Sequence, residues 1–401
     1  MKILHINTYD RAGGAEQFAY DMTHIGFENA SLAVKRKKTD SPKVYELPRK
    51  PLSRLFEYTD KTLLKAVNRT LFSDLSILHN IHGTYAALSR SADYLKADII
   101  HLHNLHYDFF DLRSLIKISH EKPVVWTLHD MWCMTGGEAY TFENNNYQQG
   151  LGATPYQQFH PLNNPLIDRR QEYLEKKKQI YAQLGERFVF VPPCHWLSNC
   201  LKSAYVYHPA MDIRVINYGI DLSVFRNLRQ RNWSKPRILF FSFQNPFKGT
   251  HLFKQIANQV EKEFDLYLVG QPFDFKGNMT VLDRIHDRER LNQLYNEVDI
   301  MIFPSEAENF PITVMEAKAA GVCVIGATTG GIVEQLDRGA GILFERSNEK
   351  DLLAKINEAL AMPLSQIRTI GEEACRRAHE AYSKQLTFNK YAQLYDELLK
   401  K

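Results

Sequence analysis

Cysteine is scarce: there are five in 401 residues, at positions 133, 194, 200, 323 and 375, with no C-x-x-C pair. An odd, scattered set excludes a disulfide framework and a thiolate zinc site. It fits free thiols in a reducing compartment, so a cytoplasmic location is expected. No apolar run reaches about 18 residues, the length a membrane-spanning helix requires. The opening MKILHINTYDRAGG passes from a short apolar stretch into a glycine turn. It lacks the basic start, apolar centre and small-residue cleavage site of a signal peptide. No Asp-x-Asp occurs, so one familiar carboxylate clamp for a divalent cation is missing. Internal repeats and low-complexity segments are absent too.

What is present is an ordinary globular composition, 44% hydrophobic and 24% charged, on a chain long enough for two cores. Net charge is only +4, but it is unevenly placed. Eleven Lys or Arg between Lys35 and Arg69 face four acids, so that segment carries 11 − 4 = +7. Such a patch implies a local anionic partner, a membrane surface or a phosphate-bearing substrate, or else a solvated face. Within it, Leu52, Leu55, Phe56, Leu63, Val67, Leu71 and Leu75 fall at helical spacing with Arg54, Lys61, Lys65 and Arg69 between them. A helix with that pattern lies on an anionic leaflet or covers a sheet. Residues 35–75 are therefore the candidate contact with an anionic membrane surface.

The apolar pattern alternates between short runs and helix-like stretches. KILHIN, then ADIIHLH at 97–103, PVVWTLHD at 123–130, RFVFVP at 187–192 and IRVINYG at 213–219 read as strands. The rhythm restarts with PRILFFSF at 236–243, FDLYLVG at 264–270, VDIMIFPS at 298–305, VCVIGA at 322–327 and GILFE at 341–345. Two βα series predict an α/β protein of two Rossmann-like domains with parallel sheets. The polar stretch near 217–235 marks the boundary, giving domains of 1–217 and 218–401. The tail reads as helices throughout. Residues 138–170, rich in Asn, Gln and Pro, read as a long irregular insertion or lid.

One histidine run asks for metal. HLHNLH places His101, His103 and His106 together, as at the start of some two-metal hydrolase sites. Those sites need an Asp before the third His, and here Leu105 stands there. His101 and His103, at i and i+2, share one strand face, which suits a metal or the hydrogen bonding of a sugar or diphosphate. No metal is expected. Both are read as exposed strand-end candidates for acceptor or cleft contacts.

The most informative stretch is FPSEAENFPITVMEAKAAGVCVIGATTGG, 303–331. A buried-type strand ends at Pro304, a loop carries Glu306 and Glu308, and Pro311 stands at the first position of a helix stopped by Gly321. Ligands of open α/β sheets bind where such loops leave the carboxyl ends of strands. The helix start offers unpaired N–H groups to anionic oxygens. Glu308 and Glu316 could accept hydrogen bonds from hydroxyls at two depths, although a helix Glu is more often merely solvated.

PSEAENFPITVMEAKAAG resembles the E-x7-E signature of family 4 glycosyltransferases, a retaining, nucleotide-sugar-dependent group with the two-Rossmann GT-B fold. Further segments follow in that family's order. GGAE at 13–16 resembles its glycine loop, and VVWTLHDMWCMTGG at 124–137 the strand ending in its active-site histidine. VINYGIDLSVF at 215–225 resembles its hinge, NPFKG at 245–249 its phosphate-binding lysine, and ATTGGIVEQL at 327–336 its second glycine turn. The resemblance implies parallel sheets facing across a cleft, an N-terminal acceptor domain and a C-terminal donor domain. It also implies a last helix, about 383–401, crossing back to the N-terminal domain.

It implies roles as well. His129 and Glu308 would be catalytic, with His129 at the sugar hydroxyls. Gly13, Gly14, Lys248, Asn309, Phe310, Pro311, Ile312 and Glu316 would bind the donor, Lys248 at the diphosphate and Glu316 at the ribose. There are departures: Phe243 stands where relatives often carry Arg, Pro311 where they carry Gly, and Tyr218 where the hinge has Asn. The expected activity is transfer of a sugar from a UDP- or GDP-hexose to a glycan acceptor, with retention and without a metal or other cofactor. The resemblance points to O-antigen, capsule or exopolysaccharide assembly on a polyprenyl diphosphate, at the inner face of the cytoplasmic membrane. The rival readings are an inverting GT-B enzyme or nucleotide-sugar epimerase, a non-catalytic nucleotide-sugar-binding module and a metal-dependent hydrolase.

Overall fold

Strand segments that are apolar at all or nearly all positions must be covered on both faces, which is the environment of a parallel sheet between helices. IIHL, VVWT, FVFV, IMIF and CVIGA all meet that description, and every residue in them is buried. The computed structural model describes residues 1–47, 82–106, 109–142, 144–151, 169–228 and 231–401. The amphipathic stretch 51–75 and residues 152–168 of the Asn-, Gln- and Pro-rich stretch lie outside them.

The chain divides into two units, residues 1–216 with 388–401, and residues 217–387. In the first unit the strands are β1 (Ile3–Tyr9), β2 (Ala30–Arg36), β3 (Val44–Glu46), β4 (Ile99–Leu102), β5 (Val124–Thr127), β6 (Phe188–Val191) and β7 (Asp212–Ile213). They form one sheet in the order β3-β2-β1-β4-β5-β6-β7, all pairs parallel. The second unit holds β8 (Arg237–Ser242), β9 (Asp265–Gly270), β10 (Asn278–Leu282), β11 (Ile300–Phe303), β12 (Cys323–Ala327) and β13 (Ile342–Phe344). Their order is β10-β9-β8-β11-β12-β13, again all parallel. In each sheet the order reverses beside the first strand, between β1 and β4 and between β8 and β11. Such switch points leave a crevice at the strand carboxyl ends.

Most predicted strands recur with trimmed ends, but β1 runs on to Tyr9, and the strand expected over 213–219 is replaced by the two-residue β7, which shares only Ile213 with it. Three strands went unpredicted. β2 runs into the basic patch, β3 has only three residues, and β10 is an edge strand largely open to solvent. Among the described residues, no helix is long and apolar enough to cross a membrane.

The second core packs Ile238, Phe240, Leu266, Leu268, Ile300, Ile302 and Ile325 against Phe253, Leu352 and Ile356 from the flanking helices. The chain's final helix, Lys384–Lys400, carries Tyr391, Leu394, Tyr395 and Leu398 into the first unit, where all four are buried. Tyr391 and Tyr395 also bring hydroxyls. Tyr395 Oη pairs with His101 Nδ1 at 2.5 Å, His101 Nε2 pairs with Thr127 Oγ1 at 2.7 Å, and Thr127 Oγ1 pairs with Tyr391 Oη at 2.6 Å.

Replacing Tyr395 by Phe leaves a buried imidazole nitrogen without its partner, a loss of about 1–3 kcal/mol. Leu399, 41% exposed on the same helix, serves as control, and Leu399→Ala should stay within about 0.5 kcal/mol. Urea unfolding of the two variants checks this.

Candidate functional site

The loop after β11 is built by close backbone approach. Gly249, at φ +64°, would place a Cβ 1.8 Å from the carbonyl oxygen of Pro304, and Gly330, at φ +54°, one 1.7 Å from that of Glu308. Only glycine fits either place. The loops after β8, β11 and β12 therefore close on one another. Glu306 N–H donates to Phe247 O at 2.7 Å, Ser305 Oγ to the same oxygen at 3.2 Å, and Gly331 N–H to Asn309 O at 2.8 Å.

This closure brings Lys248 and Glu308 together. Lys248 Nζ lies 2.5 Å from Glu308 Oε1, which also accepts from Ser305 Oγ at 2.9 Å. Lys248 is partly exposed and Glu308 is buried, so the pair presents its cationic side to solvent. Phe310 packs edge-on against Tyr218 and Tyr382, at centroid distances of 6.1 and 5.8 Å. The Tyr that replaces the expected hinge Asn is thus part of an aromatic cluster under the loop.

Pro311 is the cap residue and not the first helical one: the helix is Ile312–Ala319, and Pro311 keeps an extended ψ of 125°. The shift is physically mild, since proline's fixed φ suits either place. Gln335 Nε2 donates to Pro311 O at 3.1 Å, tying this helix start to the next helix. Glu316, in the second turn, faces Arg288 at 3.9 Å. Burial pushes its carboxyl up to about 7, against the opposing pull of Arg288 and Lys384.

Spacing alone missed Ser305, Arg288 and Arg346. Arg346 donates from Nη1 to Glu306 O at 3.3 Å, which puts a guanidinium on the loop of a site lacking an Arg at Phe243. An Arg following the short strand β13 carries no spacing signal. The Ser before Glu306 was there to be read.

In the first unit, Gly13 caps helix Gly14–Asp21, and its N–H donates to Glu16 Oε2 at 2.8 Å. His129 follows β5 and is half-buried, and burial lowers its imidazole to about 3, so it is neutral at physiological pH. The histidine run divides three ways. His106 pairs with Asp130 at 3.1 Å. His101, fully buried, is held by Tyr395 and Thr127. His103, 1% exposed, reaches His129 through Nδ1 at 3.1 Å. The expectation of exposed strand-end contacts is corrected here: helix Lys384–Lys400 and Phe18 cover both rings.

Nitrogens of His5, His101 and His103 lie within 4.8 Å of one another, a grouping that could hold a metal ion. All of their nitrogens but His5 Nε2 are already engaged, however. His5 Nδ1 pairs with His103 Nε2 at 3.0 Å, and both nitrogens of His101 face hydroxyls. A cation would have to break these bonds.

The raised Glu316 carboxyl makes a pH prediction with a definite sign. The folded state holds this proton more tightly than the unfolded state does. Stability therefore falls as pH rises from about 4.5 to about 7, by on the order of 3 kcal/mol, and levels off above. Glu316→Gln should flatten that fall, as read by urea denaturation at pH 4.5, 6 and 8.

Residues 44–224 match the family described as Glycosyltransferase Family 4, and residues 235–362 match Glycosyl transferases group 1. The putative colanic acid biosynthesis glycosyl transferase WcaC of Escherichia coli is 25% identical over 99% of this chain and all of its own length. A Campylobacter jejuni enzyme, N,N'-diacetylbacillosaminyl-diphospho-undecaprenol alpha-1,3-N-acetylgalactosaminyltransferase, is 27% identical over 41% of this chain and 46% of its own. Among solved structures, Anabaena HepE in complex with UDP superposes with a TM-score of 0.67 at 17% identity, covering 99% of this chain and all of the other. Parallel sheets, switch-point loops and matches across both units lead to one assignment: the chain belongs to the family 4 glycosyltransferases and has the GT-B fold.

Proposed function

We propose that this glycosyltransferase moves a hexose-type sugar from a UDP- or GDP-sugar to a glycan growing on a polyprenyl diphosphate, with retention of anomeric configuration, in cell-surface polysaccharide assembly. The observation that carries this reading is the Lys248–Glu308 pair at the switch point of the second sheet. A donor diphosphate meeting the exposed side of Lys248 replaces part of that ion pair with its own charge. The negative charge that grows on the leaving diphosphate then falls beside a cation already in place. Fixed donors of this kind are typically the largest contribution to transfer catalysis.

The remaining roles follow from chemistry. Glu316 accepts hydrogen bonds from ribose hydroxyls. Glu308, steadied by Ser305, lies at the donor sugar with Asn309 and Phe310 of the loop, with Ile312, whose N–H starts a helix, and with Pro311, which offers only its C=O. His129 contacts sugar hydroxyls, and Gly13 and Gly14 give the first unit's helix start open backbone. Retention follows same-face attack in which the leaving phosphate accepts the acceptor's proton. The named acceptor of the Campylobacter relative, the named product of WcaC and the UDP bound to HepE support the substrate classes.

We place the enzyme on the inner face of the cytoplasmic membrane through residues 35–75. The described part of that segment is largely tied down. Lys37 Nζ donates to Ser41 O, Lys43 Nζ donates to Thr23 O and Glu28 O, and Lys38 covers the Tyr9 ring. Membrane attraction then falls to residues 51–75.

Two outcomes are expected. Lys248→Ala and Glu308→Gln should each lower kcat about 10²–10³-fold. The assay is release of UDP or GDP from a panel of UDP-glucose, UDP-galactose and GDP-mannose with a polyprenyl-diphosphate glycan. Wild-type rates in both variants would remove the site, and an inverted anomer in the product NMR would remove retention. Separately, the protein should pellet with vesicles containing phosphatidylglycerol at low salt and be released at about 0.5 M salt, where charge attraction is screened. No pelleting at low salt would refute the membrane contact.

A further inference from the structure

Three imidazoles stand in a row across the first sheet. His5 lies on β1, beside His101 in register on β4, and its Nδ1 is 3.0 Å from His103 Nε2. His103 Nδ1 is 3.1 Å from His129 Nε2. The rings are near parallel, at 26° and 22° between planes, and Phe18 stands edge-on to both His103 and His129. His5 is fully buried and His103 is 1% exposed.

A neutral imidazole has one N–H and one lone pair, so each link in the row uses one of each. The row can therefore be polarised in only two ways. If the hydrogens point toward His5, its Nε2 must carry the remaining N–H. That nitrogen is buried and has no hydrogen-bond partner among the described residues. If they point toward His129, His5 Nε2 carries only a lone pair and no buried N–H is orphaned. Orphaned buried N–H groups are the rarer fault in folded proteins. Charging any member offers no escape, because burial lowers all three imidazoles far from their usual range.

We propose that His5 and His103 are positioning residues that hold His129 as its Nδ1–H tautomer, with the Nε2 lone pair occupied by His103 Nδ1–H. His129 then serves sugar transfer as a hydrogen-bond donor and has no lone pair with which to act as a general base. This rests on the assignment of His129 to the substrate sugar made above. It specifies the chemistry available there: a donor to a hydroxyl or to a developing oxyanion.

The test is selective ¹⁵N labelling of the histidines in the full chain, with long-range ¹H–¹⁵N correlation. The His129 signal is identified by its loss in His129→Asn. The expected pattern is a protonated Nδ1 and an unprotonated Nε2, unchanged between pH 6 and 8. A protonated Nε2, or a charged ring, overturns the proposal without recourse to any variant of His103. His103→Leu should release His129 toward the Nε2–H form and lower kcat about 10- to 100-fold at nearly constant KM. His103→Asn, whose amide N–H falls nearest the lost Nδ1–H, should restore both the tautomer and most of the rate. An unmoved tautomer in His103→Leu overturns the proposal. Unchanged transfer in His129→Ala would instead remove the role of His129, which the wild-type tautomer pattern does not decide.

Discussion

Two backbone approaches that no side chain could survive set the geometry of the second unit. Gly249 backs onto Pro304 and Gly330 onto Glu308, each in a left-handed conformation and each closer than any Cβ could come. These contacts let the loops leaving β8, β11 and β12 share one small volume. The sheet contributes a switch point there and the glycines close it. Only then does a lysine from one loop reach a carboxylate from another at 2.5 Å.

The charges collected there have unlike surroundings. Glu308 is matched by a cation and a hydroxyl at short range. Glu316, on the helix that follows, has only the more distant charges of Arg288 and Lys384, and burial shifts its titration toward neutrality. Two carboxylates on one short segment thus sit in unlike electrostatic surroundings, one beside compensating charge, the other shifted by burial toward its neutral form. The first unit uses a third arrangement, in which neutral imidazoles and hydroxyls satisfy one another under Phe18 and the final helix. It fixes orientation without placing a charge among these rings.

Much of this was legible in sequence where one physical demand dominates. IMIF and CVIGA could be read as strands because nothing but burial on both faces explains four or five consecutive apolar residues. The loop of Glu308 was legible because strand end, acid, proline and glycine fall in order. β10 was not, because NMTVL at an exposed sheet edge carries no pattern that separates it from a loop. Arg288 and Arg346 reach the site from separate elements, so no spacing announces them. The histidine run was misread in its exposure for a related reason. The spacing of His101 and His103 correctly puts both on one face, but what covers that face is Tyr395, 294 positions away from His101.

The central claim is that Lys248 and Glu316 together form a nucleoside-diphosphate site. Isothermal titration of the purified chain with UDP and with GDP tests it most directly. One of the two nucleotides should bind the wild-type protein, weaken at least about tenfold in Lys248→Ala as a diphosphate contact is lost, and weaken similarly in Glu316→Gln as a ribose contact is lost. Undiminished affinity in both variants, or binding of neither nucleotide by the wild-type protein, would contradict it.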